Sequence, residues 1–107
     1  MLRTLYFTTA NRDAALQIAR TLVEERLVAC ANVVDGITSV YRWEDRLHED
    51  PETVVFAKTR ASLAEDAVER IRQLHDYDCP CVTTWETTAA SDYGNWVHAE
   101  TRETSDD

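Results

Sequence analysis

Apolar and polar positions along this chain change period several times, and each change marks an element. From Leu2 to Thr9 they alternate, with Leu5 and Phe7 on one side, which predicts a first strand. Asn11 then offers a side-chain oxygen to free helix amides, and Asp13 suits the positive end of a helix dipole. Ala15, Ile18, Ala19, Leu22 and Val23 follow at i, i+3, i+4, i+7 and i+8, the stripe of an amphipathic helix lying on a sheet and running to about Arg26.

Leu27 to Trp43 is one long extended segment, rich in β-branched residues and aromatics, with a joint at Asp35-Gly36. Ala29, Ala31 and Val33 share one side, and Ile37, Ser39, Tyr41 and Trp43 share a face further on. The joint reads as a glycine bulge bending a single strand, with an Asp-Gly hairpin turn as the alternative. Such a ribbon spans roughly 50 Å at about 3.3 Å per residue. A small domain is expected to leave part of it projecting to meet another chain.

The polar run Glu44 to Glu52, with Pro51, predicts a turn region. Thr53 to Thr59 is apolar on both faces and predicts a central, covered strand. Ser62 with Glu65 has the spacing of a capping box before a second helix that buries Ala64, Ala67, Val68, Ile71 and Leu74. After a loop from Leu74 to Cys81, a last strand runs from Val82 to about Thr87. Ser91 opens a short helix carrying Tyr93, Trp96 and Val97, and Glu100 to Asp107 is polar and predicted to fray. The order is that of an α+β, ferredoxin-like βαββαβ sandwich with a short C-terminal helix, both main helices lying on one face of an antiparallel sheet. The other face needs a cover, and an oligomer supplies one.

With 107 residues, 44% of them hydrophobic, the chain has the core of one domain, residues 1–107. No apolar run is long enough to span a membrane, and the chain enters a strand pattern at once instead of a signal peptide, which points to the cytoplasm. A formal net charge of -9 argues against nucleic acid or an anionic membrane as partner. Lys58 is the only lysine, and an acidic, lysine-poor surface is the composition a halophilic, high-salt cytoplasm favours.

Three cysteines, an odd number, read as thiols rather than a disulfide framework. Cys79 and Cys81 flank Pro80 and fall on one side of an extended segment, where two thiolates suit Cu(I) or Zn(II), although a single Cys-x-Cys lacks the second pair of a zinc site. Cys30, between two alanines, reads as a small buried hydrophobe. His75 closes a helix, where a histidine suits the negative dipole end. The carboxylates are scattered, and Gly36 and Gly94 are the only glycines, so neither an acid–base pair nor a phosphate loop is legible and no enzyme is predicted.

The runs Arg26 to Val33, Ser39 to Glu44, Lys58-Thr59-Arg60 and His75 to Pro80, followed by Tyr93 and Trp96, resemble in order the CutA family of divalent-cation tolerance proteins. The resemblance implies a ferredoxin-like homotrimer with strands paired across subunits, and binding of copper or other divalent cations. It makes Cys30 a candidate soft ligand beside Cys79 and Cys81, which their spacing suggests, and His75 completes the candidate metal ligands. It places Tyr41, Trp43, Tyr77, Tyr93 and Trp96 at a cleft or interface. The family is similar in architecture to the trimeric nitrogen-regulatory signalling proteins, so a small-molecule-sensing trimer is the alternative. Two positions depart from the family pattern. Asp76 stands where proline is usual, which loosens the loop, and Cys81 stands where glutamate is usual, exchanging a hard oxygen for a soft sulfur.

Overall fold

In the computed structural model, which describes residues 1–104, four strands form one antiparallel sheet. They are β1 (Leu2–Thr9), β2 (Cys30–Trp43), β3 (Arg46–Arg60) and β4 (Val82–Thr87), in the spatial order β2-β3-β1-β4. The helices are α1 (Arg12–Glu24), α2 (Ala64–Leu74) and α3 (Ser91–Glu100). Leu5 and Phe7 of β1 meet Val55 and Ala57 of β3, and Ile18 and Leu22 of α1 with Ala67 and Ile71 of α2 close the core above them. Both main helices therefore lie on one face.

Asn11 caps α1 by accepting a hydrogen bond from the Ala14 amide at 2.9 Å. The chain leaves that helix through Arg26 in the left-handed region (φ 59), and pairing in β2 begins at Cys30 rather than Leu27. Ser62 does not occupy the cap position of the second helix. It lies inside a 3-10 turn, Ala61–Leu63, and α2 begins after Leu63, a residue with no side-chain cap to offer.

The largest correction concerns residues 44–52. They are not a turn region: β3 begins at Arg46 and pairs with β2 from Trp43↔Arg46 to Ile37↔Glu52. The overlong strand thus finds its partner within its own chain, in a hairpin turned by Glu44 and Asp45, both at positive φ (51 and 62). Two left-handed central residues give the mirror-image turn whose twist suits a hairpin, although neither is glycine. Pro51 is tolerated because β1 ends opposite Thr53, so this part of β3 has only β2 beside it. The hairpin still projects, and the molecule measures 44 × 24 × 23 Å.

Asp35-Gly36 is a bulge, not a hairpin turn. The register jumps from Val34↔Val54 to Ile37↔Glu52, so two residues oppose Thr53 alone, with Gly36 at φ 81. Before the bulge the odd-numbered residues Ala31 and Val33 pack against the helix-side core. One extra residue reverses the alternation, so Ile37, Ser39, Tyr41 and Trp43 emerge on the opposite face.

That opposite face is partly covered from within the chain. Leu2, Ala29 and the buried Val97 of α3 form a second cluster there, with Ala89 against it. Just beyond α3 the chain is held at two residues: Thr101 is buried, and Arg102 donates to the Glu25 carbonyl at 2.8 Å. Residues 105–107, the end of the stretch expected to fray, lie outside the described residues. Among the described residues no helix is long and apolar enough to cross a membrane.

Candidate functional site

The sheet face turned away from α1 and α2 carries a cleft of about 540 Å³. Its floor is Tyr6 and Thr8 of β1, which point away from the core because Leu5 and Phe7 point into it. One wall is the hairpin, bearing Tyr41, Trp43 and Glu52; the other is the loop after α2, bearing Tyr77, Cys79 and Cys81.

His75 holds that loop in place. Its ring is buried, and its Nδ1 accepts the Tyr77 amide at 3.1 Å, so Nε2 carries the proton and donates to the Thr8 carbonyl at 2.7 Å. Tyr77 then reaches across the cleft and donates its hydroxyl to Glu52 Oε2 at 2.7 Å, while Ser39 donates to Oε1 of the same carboxylate at 2.6 Å. Further along the hairpin Tyr41 donates to Asp50 at 2.6 Å and stacks on His48.

The titratable groups record this environment. Burial first, then the hydrogen bond to Glu52, pushes the Tyr77 hydroxyl up, and the hydrogen bond to Asp50 does the same for Tyr41. Burial followed by the charges of Glu52 and Cys79 raises the Cys81 thiol. Burial with the negative charges of Cys81 and Glu52 raises Tyr6. In every case the protonated form is favoured. Alkylation of Cys81, followed peptide by peptide, is therefore expected to rise with pH above the range of a free thiol, near about 8.5. Glu52→Gln should bring its midpoint down, and an unshifted midpoint in both proteins would contradict this geometry.

The residues singled out from sequence fall into separate places. Tyr41, Trp43, Tyr77, Cys79 and Cys81 share the cleft. Cys30, Tyr93 and Trp96 form a second group by α3, where Cys30 Sγ and the Tyr93 hydroxyl are 3.1 Å apart and the Tyr93 and Trp96 rings 5.7 Å. That contact, with burial second, pushes the Tyr93 hydroxyl up to about 12. His75 belongs to neither group as a ligand, because both ring nitrogens already have partners inside the chain. Trp43 remains 45% exposed, so nothing within this chain buries it as an anchor.

Among the described residues no three His, Cys, Asp or Glu side chains are gathered as a metal cage. The donors that do share the cleft are two thiols beside carboxylates, a set suited to a soft ion of low coordination number. Glu52, Asp50, Ser39 and Tyr6 were missed by sequence reasoning. The period-two alternation through Ser39, Tyr41 and Trp43 was the available signal, but Asp50 and Glu52 had been read as turn.

The fold and cleft define a ferredoxin-like α+β protein with a small aromatic and acidic site on the sheet face turned away from α1 and α2. The chain belongs to the CutA1 divalent ion tolerance protein family, whose profile matches residues 3–100. It is 41% identical over 99 residues to "Protein CutA, chloroplastic" of Arabidopsis thaliana, covering 92% of this chain and 54% of that protein. The chain thus spans about half the length of the plant relative it matches. The structure of the divalent cation tolerance protein (Cut A1) of Thermus thermophilus superposes with a TM-score of 0.91 at 34% identity, over 95% of this chain and 100% of that one. The periplasmic divalent cation tolerance protein CutA of Archaeoglobus fulgidus superposes with a TM-score of 0.90 at 25% identity, over 94% and 98% of the two chains.

Proposed function

We propose that this chain is a trimeric, metal-responsive tolerance protein whose soft-metal ligands are Cys79 and Cys81, with Cu(I) preferred. The observation that carries the reading is the pairing of family membership with two thiols on the rim of one cleft. Thiolates select Cu(I) over ions that want several oxygens. Cys30 joins only by giving up its contact with Tyr93, and His75 only by breaking its hold on the loop. The absence of a third gathered ligand among the described residues favours either two-coordinate Cu(I) or ligands shared between chains.

The trimer rests on three features of the chain. The hairpin projects, β4 pairs on one side only, with β1, and Val34, Leu47, Trp85 and Trp96 stand exposed. An open strand edge beside exposed apolar side chains is completed by another copy. The three free thiols suit the cytoplasm, and the acidic surface suits high salt. The roomy cleft supports the second reading, a small-molecule-sensing trimer.

Two measurements test the proposal. Multi-angle scattering in molar salt should give three times the chain mass, with dissociation as salt falls; a monomer mass in molar salt overturns the trimer. Anaerobic Cu(I) titration should show loss of tight binding, with its proton release, in the double variant Cys79→Ser, Cys81→Ser and retention in Cys30→Ser. Equal affinity in the double variant and the parent rejects the thiol pair.

A further inference from the structure

We infer that the cleft between the hairpin and the loop after α2 binds an organic cation, its ammonium or quaternary-ammonium head seated among Tyr6, Tyr41, Trp43 and Tyr77 and facing Glu52. This goes beyond the metal reading and deepens the second one by naming the class of small molecule.

The wall chemistry comes first. Four aromatic rings from three separate elements, β1, the hairpin and the loop, line one space of about 540 Å³, enough for a small organic molecule. Ring faces carry negative potential and attract cations, most strongly tryptophan, and more so where water is displaced. One face of Tyr41 is taken by His48, which leaves its other face.

Charge decides between ligand classes. Glu52 and Asp78 line the cleft and Asp50 sits behind Tyr41, whereas no lysine, arginine or histidine is among the described residues that line it. Nor does any basic side chain pair with these three carboxylates in the ion pairs of the described residues. Hydroxyl groups of Ser39 and Tyr77 satisfy the lone pairs of the half-buried Glu52, but they leave its charge uncompensated. Burial is the first cause of the upward shifts of Tyr6, Tyr77 and Cys81, and the hydrogen bond to Asp50 that of Tyr41; the negative charge of Glu52 adds to all four. A phosphate or nucleotide would meet repulsion here with no donor cation to offset it. An organic cation finds the charge and the rings together.

The test is calorimetric titration of the whole protein, in its own assembly state and at fixed ionic strength. The ligands are choline, the neutral alcohol in which carbon replaces choline's nitrogen, and inorganic phosphate. Choline is expected to bind about tenfold more tightly than the neutral isostere, with phosphate not binding. Glu52→Gln should erase that preference, bringing choline and isostere to equal affinity. If that variant fails to fold, Asp78→Asn, at a loop position, takes its place and should reduce the same preference. The metal reading is tested by Cu(I) affinity and the cation reading by the ratio of choline to isostere affinity within the parent protein, so the two readings fail independently. Equal affinity for choline and isostere, binding of phosphate in preference, or no saturable heat from choline overturns the inference.

Discussion

Replacing Arg60 with alanine is expected to destabilise the protein by about 3 kcal/mol, with the damage centred on α3. Arg60 is buried at the end of β3, on the sheet face that α3 covers. Its Nε donates to the Thr101 hydroxyl at 3.0 Å, and its Nη2 donates to the carbonyls of His98 and Thr101 at 2.5 and 3.2 Å. The last carbonyls of a helix have no partners within it, and a cation there also meets the negative end of the dipole. Alanine would take the Arg60 donor from the Thr101 carbonyl and leave the His98 carbonyl only the long contact from the Thr101 hydroxyl at 3.4 Å, at about 1–3 kcal/mol for each weakened group before any rearrangement. Arg60→Lys should recover part of the loss, since it keeps the charge but not the fork that reaches several acceptors. Urea denaturation gives the magnitude, and amide exchange across Ser91–Glu100 gives the location. A variant within about 0.5 kcal/mol of the parent, with α3 equally protected, would show that the helix is held by other contacts.

His75→Ala is the second large effect, expected at about 2–4 kcal/mol. It removes a buried ring, strands the Thr8 carbonyl and deprives the Tyr77 amide of its acceptor. Its consequence reaches the cleft. Tyr77 is the side chain that ties the loop to Glu52, so a freed loop gives up that bond and carries Cys81, an exposed residue already, away from the cleft wall and Glu52. With burial the first cause of the raised Cys81 thiol, its alkylation midpoint should move down toward that of a free thiol in this variant. His75→Gln, which can donate and accept, should lose less on both measures. A stable His75→Ala with an unmoved Cys81 would mean that the loop does not depend on the imidazole.

Much of the fold is legible locally. The stripe Ala15, Ile18, Ala19 and Leu22 identifies α1 and is buried, whereas Val23, read as its last member, is 40% exposed. Asn11 acts as the expected cap, and Asp35-Gly36 as the expected bulge. The strand of residues 46–52 was not legible for a physical reason. It has β2 on one side only and water over much of its surface, so no burial imposes an apolar alternation, and Pro51 with the surrounding charges looks like a turn. Its pairing is dictated by β2 through a turn that lacks glycine. The same omission hid Glu52 and with it the acidic side of the cleft.

Interactions between neighbours in the chain suffice for helix stripes, a cap and a bulge, and motifs in order suffice for the family. The tertiary structure decided which candidates meet. His75 contacts a carbonyl 67 positions away and Tyr77 a carboxylate 25 away, and separations of that kind leave no periodic trace. Even the placing of Tyr41 and Trp43 over the cleft depends on one extra residue in β2, whose effect on facing follows only once its register against β3 is known. Hydrophobic burial writes its period into the chain, whereas hydrogen bonds and charges between distant segments are set by how the elements come together.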